Sequence, residues 1–162
     1  SYSVTGVQTC ALPIFSGHIF FMDNFYGHDD GAYACLRLLS YLERKSQKLS
    51  QLVAELPKYI SSPEIKFGLS DEIKFKFIAE IITQEFKQQW PDAEYIDIDG
   101  IRMDLPDQMA IIRASQNGPY ATVKFEAKTQ VAYDGLKKIL KGILSKYPAI
   151  DLQKGTNIEA LD

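Results

Sequence analysis

The chain is short of several things at once. It has two cysteines, two histidines and one tryptophan in 162 residues, and no apolar run approaches the roughly 20 residues that span a bilayer. Cys10 and Cys35 lie far apart without x-x-Cys spacing, which removes a disulfide framework and a zinc site as organising principles. Charge of one sign is also missing. The 18 Lys and Arg residues are scattered among 21 Asp and Glu for a net −3, so no basic surface is massed against a nucleic-acid backbone or an anionic membrane. The N-terminus carries neither the basic patch nor the continuous apolar stretch of a signal peptide. The expectation is a cytoplasmic protein with no nucleic-acid partner, no membrane partner and no metal site of its own.

What is present is material for a core. The chain is 46% hydrophobic, 12% aromatic and 24% charged, enough for one domain or for one domain plus a piece of another. Val4 to Ile14 resembles the conceptual translation of a sequencing adapter, and residues 1–15 are set aside from fold reasoning on that ground. Gly17 to Met22 reads as a buried strand. Asp29 and Asp30 precede a helix whose apolar positions Ala32, Cys35, Leu36, Leu39 and Leu42 predict a buried face. Ser50 is expected to cap a second, short helix that Pro57 stops, and the segment 58–63 reads as a linker.

The following segment is more strongly patterned. A strand at Glu64 to Phe67 leads to Ser70 as a helix cap, with Asp71 and Glu72 favoured by the helix dipole and Ile78, Ile81, Ile82 and Phe86 as the inner stripe. Asp99-Gly100 predicts a two-residue hairpin turn that sets Ile98 against Ile101 and Ile96 against Met103. A strand follows at Met109 to Ile112, then one with Ala121, Val123, Phe125 and Ala127 facing inward. A last helix buries Leu136, Ile139, Leu140, Ile143 and Leu144. The predicted fold is α+β: a four-stranded antiparallel sheet with two helices on one face, in the order β-α-β-β-β-α, preceded by a partial α/β remnant. Residues 148–162, with Gly155 and Asn157, read as a loose tail.

One connection carries more donors than a turn requires. In Arg113-Ala114-Ser115-Gln116-Asn117-Gly118-Pro119, the guanidinium suits a phosphate, the hydroxyl and two amides add donors, and Gly118 permits close backbone approach to an anion. This outlines a phosphate cradle; the competing reading is an ordinary polar turn. Asp97-Ile98-Asp99-Gly100 superficially suits a cation, but the turn itself demands Asp-Gly.

Four motifs in order, Ser16-Gly17-His18-Ile19-Phe20-Phe21, Tyr26-Gly27-His28-Asp29-Asp30-Gly31, the Arg113 loop and Phe125-Glu126-Ala127-Lys128, resemble the phosphomannomutase/phosphoglucomutase branch of the α-D-phosphohexomutases. The resemblance implies an isomerase of carbohydrate metabolism, an intramolecular phosphotransferase moving a phosphoryl group between O1 and O6 of a hexose phosphate. It implies a four-domain enzyme with a phosphoserine, a magnesium loop, a sugar-reading loop and a phosphate-binding loop. Residues 16–61 then correspond to a remnant of the third domain and 62–147 to the fourth. Arg113, Ala114, Ser115, Gln116 and Asn117 are implied to hold the substrate phosphate, Ser16 and Gly17 to belong to the sugar-binding loop, and His18 is a candidate for proton transfer or phosphate contact. The sugar-reading Glu of the family falls at Ile14, and Gln116 and Asn117 stand where the family often has Asn-Thr. Neither phosphoserine motif nor magnesium loop is found, so magnesium is expected of the full-length family and no cofactor of this chain. The expected partners are mannose or glucose 1- or 6-phosphate and the enzyme's N-terminal domains, and the chain alone is expected to be inactive. The alternative is a stand-alone module that binds anions or sugar phosphates without catalysis.

Overall fold

Asp30 begins the first well-formed element: its carboxylate accepts the Tyr33 N–H at 2.8 Å and caps helix α1 (Gly31–Lys45). The computed structural model describes residues 11–13, 18–23 and 25–162, which divide into two compact units, 1–57 and 58–162. In the first, strands β1 (Ala11–Pro13) and β2 (Ile19–Phe21) pair antiparallel. The segment set aside as adapter-like, 1–15, thus lies outside the described residues except for 11–13 and the strand they form. Helix α1 ends at Ser46, which adopts the left-handed conformation (φ 50°) and donates its N–H to Glu43 O. Helix α2 (Leu49–Glu55) starts one residue earlier than expected. Ser50 sits inside its first turn, and the Gln51 side chain accepts the Lys48 N–H at 2.9 Å instead. The predicted stripe on α1 forms, and among the described residues it stays exposed, as a domain remnant parted from its sheet implies: Leu36 is 62% and Leu39 55% exposed.

The second unit is a seven-stranded antiparallel sheet with its helices on one face. Its strands are β3 (Ile60–Ser61), β4 (Ile65–Gly68), β5 (Glu94–Ile96), β6 (Ile101–Leu105), β7 (Gln108–Ala114), β8 (Tyr120–Ala127) and β9 (Asp151–Thr156). The order is β5-β6-β7-β8-β4-β9, with β3 also on β8. Between β4 and β5 one helical stretch runs through α3 (Lys74–Lys76), π-helical turns (Phe77–Ile82) and α4 (Thr83–Gln89); α5 (Gln130–Ser145) follows β8. The π turns close where both the N–H and the hydroxyl of Thr83 donate to Ile78 O. Strict alternation along β8 buries Ala121, Val123, Phe125 and Ala127, and the first three share a core with Ile78, Ile82 and Phe86 from one helix and Leu136, Leu140 and Leu144 from the other.

Three expectations are corrected. The sheet has seven strands rather than four: β3 comes from residues read as linker, β9 from residues read as tail, and β5 and β6 enter separately. The tail is ordered because its special residues are fitted to the sheet. A Cβ on Gly155 would lie 1.9 Å from Lys66 O, so only glycine lets β9 approach β4. Asn157, at φ 58°, turns the chain and donates its amide to Glu64 O at 2.9 Å, and Leu161 is then buried. The β5–β6 register is shifted by one: Tyr95 faces Met103 and Ile96 faces Arg102. A one-residue shift reverses every side chain. Tyr95 turns inward, its hydroxyl within 2.8 Å of Phe86 O and 2.7 Å of Trp90 O, while Ile98 is 92% exposed.

Candidate functional site

The Arg113 loop closes the hairpin between β7 and β8. Their ladder ends at Ala114 opposite Ala121, and Ser115 N–H adds a last bond to Tyr120 O at 3.0 Å. The loop then folds on itself. Ser115 Oγ accepts the Asn117 N–H at 3.0 Å, and Gly118 O accepts the Tyr120 N–H at 2.8 Å. The Gln116 and Gly118 N–H groups donate to no group among the described residues, and the Gln116 and Asn117 side chains are exposed. A small concave array of N–H donors is what a phosphate or carboxylate requires.

The return half of the loop is fastened from below. Leu69 N–H donates to Pro119 O at 3.1 Å, and the ammonium of Lys74 donates to Gly118 O at 2.8 Å. Lys74 is only 3% exposed, yet it also pairs with the Asp71 carboxylate, which stays in water. Lys74 was not foreseen as a site residue. Its signal was in the sequence all the same, as a lysine four residues before Ile78, in phase with the apolar stripe.

Arg113 alternates with the buried Ile112 and Ala114 and so leaves β7 on the face away from the helices. Its guanidinium pairs with Asp99 on the β5–β6 loop. Gly100 makes that approach possible: at φ 114°, a Cβ there would sit 2.2 Å from Ile112 O. On the helix side, Ala114 and Gln116 border a half-open cleft of about 410 Å³ with Ile78, Thr83, Asp99 and Gly100. The structure therefore gathers Ser115, Gln116 and Asn117 at the loop tip, with Ala114 at the cleft and Arg113 held beside Asp99.

The other named residues belong to the first unit. Ser16 and Gly17 lie outside the described residues. His18 is half-exposed, with Nε2 3.4 Å from an Asp29 carboxylate oxygen. Among the described residues no three His, Cys, Asp or Glu side chains converge on a point that could hold a metal ion. No helix among them is long and apolar enough to cross a membrane.

The family model for phosphoglucomutase/phosphomannomutase, alpha/beta/alpha domain III, matches residues 15–59. A phosphomannomutase/phosphoglucomutase of Pseudomonas syringae pv. tomato is 37% identical over 138 residues, which is 85% of this chain and 29% of that protein. A phosphoglucomutase of Neisseria gonorrhoeae is 35% identical over 134 residues, covering 82% and 28%. A crystal structure of a phosphoglucomutase/phosphomannomutase family protein from Burkholderia thailandensis superposes with a TM-score of 0.67 at 29% identity, over 85% of this chain and 28% of that one. The chain thus spans about three tenths of the length of the relatives it matches. It belongs to the phosphoglucomutase/phosphomannomutase family.

Proposed function

We propose that this chain supplies the phosphate-holding part of a hexose-phosphate mutase, an enzyme that moves a phosphoryl group between O1 and O6 of mannose or glucose phosphate. The observation that carries the reading is the Arg113–Gly118 connection, whose donors exceed what a hairpin needs and whose Gln116 and Gly118 N–H groups are unused among the described residues. Arg113 offers a planar fork to phosphate oxygens, and the Ser115, Gln116 and Asn117 side chains add neutral donors. Phosphoryl transfer is governed by positioning and charge stabilisation, so a group that holds the phosphate not being transferred would set the sugar's orientation. In this reading Ser16 and Gly17 belong to the sugar-binding side and His18 contacts phosphate or moves a proton. Nucleophile and magnesium come from domains outside this chain, the chain alone has no mutase activity, and the complete enzyme works in the cytoplasm.

The test is calorimetric or NMR titration of the chain with glucose 1-phosphate and mannose 1-phosphate, beside Arg113→Ala. The expected result is weak binding by the parent chain and a loss of about tenfold or more in the variant, the size of a charge-assisted pair. Equal affinity in the two proteins makes the loop an ordinary turn and ends the proposal. One observation favours a second reading. The unit 58–162 has its own core, so it can hold the loop in shape as a stand-alone anion-binding module. Micromolar affinity for sugar phosphates without the remaining domains would select that reading.

A further inference from the structure

We infer that Lys74 is a positioning residue for the anion-binding loop, an inference that rests on the phosphate-holding reading above. The starting point is a cost. An ammonium placed in the interior loses its hydration, a loss that the groups it meets there must offset. Lys74 carries that cost with a side chain 4% exposed, whereas its partner Asp71 is 61% exposed and still solvated. A purely electrostatic pair would sit as well at the surface. What burial adds is reach: from the start of the helical stretch, the ammonium crosses 44 residues of sequence to the Gly118 carbonyl at 2.8 Å.

That carbonyl lies at the turning point of the loop. Gly118 O accepts both Lys74 Nζ and Tyr120 N–H, which uses both of its lone-pair directions and fixes the peptide plane. The next carbonyl, Pro119 O, accepts Leu69 N–H. Two successive carbonyls are thus drawn onto the 69–74 segment. Gln116 and Asn117 at the tip stay exposed to solvent, where an oxyanion can reach the loop. With the carbonyls secured away from the anion, the site presents donors rather than lone pairs, a preorganisation that an incoming phosphate need not drive. Lys74 acts through Gly118 and does not itself touch the ligand.

The experiment uses the full chain, labelled for NMR and titrated with inorganic phosphate, with signals followed at the 115–118 amides and at Lys74 Nζ. In the parent chain, phosphate is expected to shift both sets together. Lys74→Met, similar in length but unable to donate, is expected to keep the hydrogen-exchange protection of β7 and β8, to displace the 115–118 amides before any phosphate is added, and to lower affinity at least tenfold. Lys74→Gln, which keeps an N–H donor, is expected to recover part of that loss. Asp71→Asn, which leaves the bond to Gly118 intact, is expected to bind within about twofold of the parent. Unmoved 115–118 amides in the parent chain defeat the phosphate-holding reading and this inference with it. Phosphate-responsive amides combined with an unmoved Lys74 Nζ signal, or with a folded Lys74→Met of unchanged affinity, leave the reading standing and overturn the role of Lys74. The Nζ arm decides the matter even where a variant fails to fold.

Discussion

Helix α1 and helix α5 carry the same kind of pattern and meet opposite fates. Both repeat apolar residues at three- and four-residue spacing, but Leu136, Leu140 and Leu144 of α5 are covered by the sheet, while Leu36 and Leu39 of α1 remain more than half exposed. Periodicity specifies which face of a helix seeks cover; it does not provide the cover. The second unit owns a sheet wide enough to bury two helical faces, and the first unit, among its described residues, has only the β1–β2 pair. Stability should therefore divide along the same line, with amides in β7 and β8 exchanging far more slowly than those in α1.

Side-chain truncation gives the largest contrast. Leu140→Ala should cost about 2–5 kcal/mol in denaturant unfolding of the second unit, and Leu39→Ala should stay within about 0.5 kcal/mol. Comparable losses at both positions would show that α1 is covered in solution. Next comes Gly100→Ala, which combines a positive φ with a backbone clash and should cost about 2–3 kcal/mol while loosening the Asp99–Arg113 pair. Tyr95→Phe removes the hydroxyl that ties β5 to the end of α4 and should cost about 1 kcal/mol, measured as a shift in Tm.

The smallest effect is on acid stability and is confined to the second unit. Hydrogen bonds from Lys146 and Tyr147 hold the Glu85 carboxyl below its usual range. A depressed folded pKa means that this contribution is present above the ordinary glutamate value and is lost as pH falls through the lowered one. Glu85→Gln should flatten that part of the pH profile of the second unit and leave the exchange of α1 untouched. An unchanged profile would place the acid sensitivity elsewhere.

Much of the second unit was legible because its elements are simple in period. The alternation in β8 and the stripes along Phe77–Gln89 and α5 name most of their buried residues directly, with Ile81 and Ile139 only partly covered, since burial on one face leaves little freedom. The β5–β6 register was not legible, because Asp99-Gly100 suits a two-residue turn and Ile96 and Ile98 suit the core equally well. What decides it is Tyr95, whose hydroxyl finds two carbonyls at the end of α4, a long-range contact invisible to local pattern. The same holds for β9, where Gly155 reads as slack until Lys66 is seen beneath it. At the site, the loop donors were visible as composition, whereas the burial of Lys74 and the pairing of Arg113 with Asp99 depend on segments brought together only by the fold.

The π turns at Phe77–Ile82 have one more consequence. Ile78, Ile82, Phe86 and Trp90 are all buried at strict four-residue intervals. In a regular α-helix, each such step advances by about 400°, so a row of four residues would wind roughly 40° further round the axis at every step. Turns that close one residue later take up part of that excess rotation. The helix can thus keep a straight row against the sheet, and one residue fewer between Phe77 and Ile82 would rotate Lys74 and everything before it relative to Phe86. The direction in which the loop's anchor leaves the helix is therefore set by the length of the segment that follows it.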